Sequence, residues 1–263
     1  MNILAFDTCF DACSVAVQTS DGRAFSRFEP MRMGHAEALT PMIADVLAKA
    51  GLTASELNRV AVTRGPGTFT GTRIGIAAAR ALCLATGAKG VSFTSFEVIA
   101  QALKSTAACG ISGTGAEARP FVVVRPERRG TFDSQIFDGN AQPLCPPAAT
   151  TAEDLVRQLQ KIAGGDSLDK LRGVGTGAEE LAKAFKALGQ PITVLNTPDI
   201  SEDQQVSEPD AKYLLSLAEG VTPDQDRPLT PLYLRPPDAK PSSKPSIARR
   251  SSQWAPTVVK DPA

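Results

Sequence analysis

Apolar positions along the first hundred residues recur with two different periods, and the changes of period mark the elements. ILAFDT (residues 3–8) is a short apolar run ending in an acid, and CSVAVQT (13–19) alternates Val15 and Val17 with small or polar neighbours, so both read as strands. Ser20, Asp21 and Gly22 supply a turn and AFSRFE (24–29) a third strand, which makes the opening an antiparallel meander. From His35 to Ala50 the period lengthens. Leu39, Met42, Ile43, Val46, Leu47 and Ala50 fall at helical spacing, Gly51 stands where a C-terminal cap belongs, and Pro41 should kink the helix or mark its effective start. Thr53 to Glu56 fits a capping box and RVAVT (59–63) a buried strand. A helix over 72–86 ending at Gly87, a strand GVSF (90–93) and a helix capped by Thr94 and Glu97, running to about Lys104, follow.

A meander followed by strand–helix crossovers predicts a mixed sheet with helices on it. Residues 105–118 are small and Gly-rich and read as a lobe boundary. Beyond them come PFVVV (120–124), a turn at Glu127 to Gly130 and TFDSQIFD (131–138), a predicted hairpin. Helical patterns cover 152–163 and 178–188, with LRGVGTGA (171–178) as strand, glycine turn and helix start between them. Asp210 is placed to cap a helix over 211–219, before TPLYLR (230–235). No fixed-period repeat is present, although the two halves share a broadly similar order of elements. After Pro236 the chain is rich in Pro, Ser and basic residues, the composition of a disordered tail, with Trp254 and the Arg249, Arg250 pair as the material for a short binding motif.

Composition narrows the field. At 263 residues the chain suits one large domain or two lobes. Its 28 basic and 28 acidic side chains remove any global pull toward nucleic acid or anionic membrane and leave only a local basic patch open. Cys9, Cys13, Cys83, Cys109 and Cys145 form an odd set with no CxxC pair, which reads as small buried thiols in a reducing cytoplasm. No apolar run makes a convincing membrane span. His35 is the single histidine and no HExxH pair exists, which disfavours metal catalysis.

The densest chemistry lies in RGPGTFTGTRIG (64–75). It lacks the GK[ST] end of a P-loop and the spacing of a dinucleotide fingerprint. Gly65, Gly67 and Gly71 allow positive φ or close backbone approach, Thr70 can cap the helix, and a helix start presents N–H groups to an anion. Asp7, at the end of the first strand, could hold a magnesium ion near a nucleotide. The next turn, TCFDA, carries Phe10 and no glycine, and Asp11 is expected to cap it. Asp7, Gly65, Gly67, Thr70 and Gly71 are therefore candidate anion or nucleotide contacts, with fold support as the competing reading. Cys83 reads as packing and not as a nucleophile. On the following helix Ile74, Ala77, Ala78, Ala81, Leu82 and Ala85 cover a broad face and Arg73 and Arg80 another stripe. Such Ala-rich faces let helices approach closely, inside one lobe or across a subunit interface.

ILAFDT with CSVAV, GHAEALTP (34–41), RGPGTFTGTRIG and PLYLR (231–235) together resemble the TsaB family. These are the small actin-like (ASKHA) subunits of the bacterial tRNA threonylcarbamoyladenosine machinery, related to the glycoproteases. The match is dense over 1–103 and thinner afterwards. The resemblance implies an α/β fold of two ribonuclease-H-like lobes, each a mixed sheet flanked by helices: 1–103 for dimerisation, 104–236, and a tail over 237–263. It also implies a non-catalytic scaffold that pairs with and activates the paralogue TsaD, supports docking of the ATPase TsaE, meets tRNA through the complex and forms a homodimer when alone. Such a subunit is cytoplasmic and has no cofactor of its own, ATP and a metal ion being handled by its partners. The helices at 35–50 and 72–86 would carry the pairing surface, with His35, Leu39, Met42, Val46, Phe69, Arg73, Ile74, Ala77, Arg80 and Ala81 as candidate contacts. Cys9 departs from the family's usual serine, as do the 128–138 hairpin and Thr176 from their usual forms. An ATP-dependent phosphotransferase using Asp7 and the glycine loop, or a glycoprotease-like hydrolase, are the alternatives.

Overall fold

The structure is a computed structural model that describes residues 1–105, 120–162, 171–190, 192–194, 207–222 and 225–235. The expected tail, nearly all of the expected lobe boundary and Cys109 lie outside the described residues. Strands β1 (Ile3–Asp7), β2 (Ala12–Gln18) and β3 (Ala24–Pro30) form the meander, followed by α1 (His35–Ala50), β4 (Arg59–Thr63), α2 (Phe69–Thr86), β5 (Lys89–Phe93) and α3 (Ser95–Ser105). The sheet runs β3-β2-β1-β4-β5, antiparallel through the meander and parallel from β1 outward. The second half repeats this plan. Strands β6 (Phe121–Pro126), β7 (Thr131–Phe137) and β8 (Ala148–Thr151) form a meander, α4 (Ala152–Ile162) crosses to β9 (Arg172–Val174), and α5 (Ala178–Ala187) crosses to β10 (Thr193–Val194). The resulting order, β8-β7-β6-β9-β10, is that of the first sheet. Both are ribonuclease-H-like, and the whole is the two-lobed actin-like fold.

Both faces of β1, β2 and β4 are buried, which is why these strands read as almost continuous apolar runs, while the edge strand β3 keeps one exposed face. Leu4, Phe6, Val15, Val17, Val60 and Val62 point to one face and pack under α1 and α2. Ile3, Ala5, Ala16, Ala61, Val91 and Phe93 point to the other and meet α6 (Ala211–Glu219). In the second sheet Val122, Val124, Phe132 and Ile136 pack with α4 and α5, while Phe121, Val123 and Phe137 pack with Phe96, Ile99 and Leu103 of α3. The lobes thus exchange helices: α3, from the first half, covers the second sheet, and α6, from the second half, covers the first. Arg59 of β4 ties α6 down by donating to the carbonyl of Ala218, and Ser14 of β2 accepts from the N–H of Ala211 at 3.0 Å. A continuous second lobe over 104–236 therefore does not hold as drawn from the sequence, because residues 207–235 return to the first sheet. Each sheet needs a cover for its second face, and chain order does not reveal where that cover comes from.

Most boundaries follow the expected ones. Helix α1 has its expected ends and starts before Pro41, which lies exposed within it. Helix α2 begins at Phe69, three residues ahead of expectation. Strands β8 and β10 were not anticipated: AATT and a two-residue TV hold their place by pairing with neighbours, without a pattern of their own.

Candidate functional site

The glycine motif folds down onto the turn between β1 and β2. The N–H of Thr68 donates to Cys9 O at 2.7 Å, and Thr8 Oγ1 donates to Gly71 O at 2.7 Å. A Cβ on Gly67 would stand 2.6 Å from Cys9 O, and one on Gly71 2.0 Å from Thr8 O, so only glycine permits the contact. Gly65 has φ 102 and lies against Leu232 O. The close approach made possible here is to the protein's own backbone. Thr68, in extended conformation, caps α2 by accepting from Gly71 N at 3.1 Å. Thr70, the residue expected to cap, is exposed inside the first turn, because the bond from Thr68 N to Cys9 O fixes the cap two residues earlier.

Beneath this junction Asp7 is fully buried. Its carboxylate accepts from Thr63 Oγ1 and from the N–H of Cys9 at 3.2 Å, and burial pushes its pKa up to about 7. Asp7, and not Asp11, therefore caps the β1–β2 turn. Asp11 instead offers its N–H to Glu208 at 3.1 Å and lies 3.5 Å from Arg32. Glu208 is also pushed up to about 7, by burial and by the charges of Asp7 and Asp11. The thiols of Cys9 and Cys13 are pushed up to about 12 by burial, so both are neutral packing groups, and Cys83 moves in the same direction. Among the described residues no group of three or more His, Cys, Asp or Glu is placed to hold a metal ion, and no helix is long and apolar enough to cross a membrane.

Between the lobes lies a cleft of about 640 Å³, walled by residues 66–69 of the glycine loop, by 125–128 and Asp133 of the β6–β7 hairpin, and by 232–235. Arg125 pairs with Glu127 at 3.2 Å and Asp133 at 3.7 Å, and burial together with Glu127 raises the Asp133 carboxyl to about 6. The last wall belongs to a segment laced along the first lobe. Ser92 Oγ donates to Pro228 O at 2.6 Å, Arg80 Nε to Leu229 O at 2.8 Å, and Leu232 N to Arg64 O at 2.7 Å. At the cleft mouth Tyr233 stacks on Phe69 with ring centroids 5.7 Å apart, Arg73 lies 3.4 Å over the Phe69 ring, and Arg73 Nε donates to the Tyr233 hydroxyl at 2.8 Å. The sequence alone assigns no chemistry to Tyr233 or Arg235, whose only signal is one of the chain's two tyrosines and a closing arginine in PLYLR.

The residues expected at a partner surface divide sharply. Leu39, Met42 and Val46 are 2%, 1% and 0% exposed within the first core, Ile74 is half-buried against it, and His35 is buried with Nε2 donating to Phe10 O at 3.0 Å. Helical periodicity identifies the face a helix buries, and the largest apolar side chains of α1 are spent on its own sheet. Phe69, Arg73, Ala77, Arg80 and Ala81 are exposed. Beside them lie two features absent from the expectation: exposed Ala44 and Ala48 on α1, and Leu84 on α2 at 90% exposure.

Comparison with known proteins agrees with this geometry. A family model described as TsaD, tRNA N6-adenosine threonylcarbamoyltransferase, matches residues 29–117. The tRNA threonylcarbamoyladenosine biosynthesis protein TsaB of Escherichia coli K12 is 44% identical over 84 residues, 32% of this chain; the match spans only 36% of that protein. The Haemophilus influenzae protein of the same name is 27% identical over 227 residues, 83% of this chain and 85% of that one. The solved structure of YeaZ from Pseudomonas aeruginosa superposes with a TM-score of 0.62 at 26% identity, covering 89% of this chain and 99% of its own. The chain is therefore similar to TsaB proteins of the glycoprotease-related group, densely over its first half and at lower identity over most of its length, and it has the actin-like fold.

Proposed function

We propose that this chain is a non-catalytic subunit of the machinery that makes tRNA N6-threonylcarbamoyladenosine, pairing through α1 and α2 with the catalytic paralogue TsaD and activating it. One observation carries the non-catalytic part. The carboxylate that an ATP-using relative would turn toward a nucleotide is here Asp7, sealed under the β1–β2 turn by the glycine loop. ATP and the metal ion are then the business of TsaE and TsaD, and this chain works in the cytoplasm as a scaffold whose pairing helps to form the docking surface for TsaE.

The exposed alanines support the pairing surface. Ala44 and Ala48 on α1 with Ala77 and Ala81 on α2 allow the backbones of partner helices to come close, and Leu84 offers an apolar anchor. In the absence of TsaD the same patch serves a homodimer, since a surface that suits a paralogue of similar fold can be self-complementary. Ala77→Glu with Ala81→Glu puts two charges on this patch without touching the core. The variant should keep its circular dichroism and melting temperature, lose co-purification with TsaD, and fail to restore modification in a mixture of TsaD, TsaE, ATP and unmodified tRNA. Full modification in a mixture lacking this chain would refute the role, and intact pairing by the double variant would refute the surface. Ile74 is a poor probe, because a charge there would also disturb the core.

A further inference from the structure

We infer that one edge of α2, continued by residues 229–235 and the β6–β7 turn, is a binding surface for single-stranded RNA with unstacked bases. The choice of RNA rests on the proposed role in tRNA modification; the surface itself rests on the side chains. Four exposed arginines, Arg80, Arg73, Arg235 and Arg128, follow one another along this line. Arg80 is held by Leu229 O and Arg73 by the Tyr233 hydroxyl, while Arg235 donates to Thr131 Oγ1, which in turn donates to Arg128 O at 2.8 Å. Among the described residues none of the four forms an ion pair, whereas the neighbouring Arg125 and Arg227 both do. For Arg80 and Arg73 the anchors are neutral oxygens, which fix the direction of the guanidinium and leave its charge unspent, whereas Arg235, also anchored on a neutral oxygen, shares its charge with the nearby Asp133 without a direct ion pair. Pre-positioned, unneutralised guanidiniums in a row suit successive phosphates. In a chain with as many acids as bases such a row is a local feature and not a by-product of net charge.

A phosphate backbone alone would not call for the aromatic pair in the middle of the row. Phe69 and Tyr233 are 56% and 47% exposed, stacked on each other at an interplanar angle of 28°, with the Arg73 guanidinium over the Phe69 face. Rings and a planar guanidinium open to solvent offer stacking surfaces to bases, which only unpaired nucleotides can present. The surface borders the pairing patch. At about 100° per residue, Phe69, Arg73 and Arg80 fall within about 40° of one another on the side of α2 that faces 229–235, and Leu84, Ala77, Ala81 and Ala85 follow it around the helix at about 20° to 120° from Arg73.

The test is fluorescence anisotropy of the full chain with a labelled RNA hairpin carrying a seven-nucleotide loop and with a fully paired RNA of the same length, over a salt series. Arg73→Gln, Arg80→Gln, Arg128→Gln and Arg235→Gln should each flatten the log affinity against log salt slope by about 0.7. Phe69→Ala and Tyr233→Ala should weaken the hairpin by about ten-fold and leave the duplex unchanged, and Tyr233→Phe should cost little. Absence of binding at low salt, a slope indifferent to the arginines, or aromatic variants that weaken duplex and hairpin alike would overturn the proposal. The two readings fail separately. A chain with Ala44→Glu and Ala48→Glu, whose added charges lie on α1, should still bind the hairpin, and the Arg128→Gln and Arg235→Gln variants, which leave α2 untouched, should still pair with TsaD. Hairpin binding by a chain that modification does not need would sink the scaffold role alone, and a needed chain that ignores RNA would sink this surface alone.

Discussion

Replacing Gly71 by alanine tests whether the glycine loop is packed shut. In a helix this change is ordinarily favourable by up to ~1 kcal/mol. Here the added Cβ would stand 2.0 Å from Thr8 O and 2.6 Å from Thr68 Oγ1. The first of these atoms is backbone, held in the turn that Asp7 caps, and cannot swing away. To restore a contact of 3.0 Å, helix and turn must part by about 1 Å, a shift that works against the 2.7 Å bonds from Thr8 Oγ1 to Gly71 O and from Thr68 N to Cys9 O. Overpacking of this kind costs about 1–3 kcal/mol. Two weakened neutral hydrogen bonds add about 1 kcal/mol each, and the propensity gain returns up to ~1 kcal/mol, leaving a net loss of about 2–4 kcal/mol. For a chain of this size that lowers the melting temperature by about 4–16 °C. Thermal unfolding followed by circular dichroism measures it, with Ala77→Gly on the exposed side of the same helix as the reference for propensity alone, worth about 1 kcal/mol of loss. A Gly71→Ala chain that melts at or above the wild-type temperature would refute the reasoning: the turn and helix would then be free to separate, and the loop would have room for a ligand.

Three further outcomes follow from the same structure. Met42→Ala empties a site that is 1% exposed and should cost about 2–5 kcal/mol in urea unfolding while leaving TsaD pairing intact in the folded chain, the reverse of what a partner contact would do. Asp7 and Glu208 each have a folded pKa near 7, against 3.8 and 4.5 for the ordinary groups, so between about pH 4 and pH 7 the unfolded chain holds fewer protons than the folded one. Their contribution to stability should therefore fall as pH rises through that window and level off above it. Urea midpoints at pH 5 and pH 8 should show this drop, and the Asp7→Asn, Glu208→Gln double variant should flatten it; a wild-type midpoint that climbs with pH and owes nothing to these two groups would contradict it. In the second lobe Gly177→Ala puts a Cβ 2.8 Å from Pro126 N and should lower the melting temperature by a cost of about 1–3 kcal/mol, read in the same thermal scans.

What could be read in advance follows from how local each decision is. Helix α1 was legible to the residue because its period and its cap at Gly51 lie within the segment. The direction of its buried face was legible too, but not what covers that face: Leu39, Met42 and Val46 suit a partner's groove as well as their own sheet, and only the position of β2 beside them decides. The start of α2 was ambiguous because Thr68, Thr70 and Thr72 are all able to cap, and the choice is made by the Cys9 carbonyl, more than fifty residues away. The cleft's aromatic pair was invisible for the same reason, since Phe69 and Tyr233 meet only when the chain end is laid along α2. Asp7 looked like a site because an acid at a strand end often is one; its burial depends on glycines that arrive from a distant loop.

Those glycines occur twice, and the second set is visible in the sequence as the glycine turn of LRGVGTGA, though not its equivalence to the first. In the second lobe the turn from β9 into α5 presses on the end of β6: Gly177 N donates to Val124 O at 3.1 Å, and a Cβ on Gly175 would stand 2.5 Å from the same oxygen. This is the relation of Gly67 and Gly71 to the end of β1, reproduced at the equivalent place in the other sheet. The cause is common to both. Parallel neighbours end side by side, and the chain leaving one strand for its crossover helix must pass over the turn that leaves the other, so backbone meets backbone wherever that crossing is tight. No sequence period betrays the repeat, because the connection takes five residues in the first lobe (64–68) and three in the second (175–177). Packing therefore accounts for the glycines of both lobes without a ligand. The longer connection of the first lobe lines the cleft with residues 66–68 and delivers Phe69 to its mouth, and that extension, not the glycines, is where a binding role belongs.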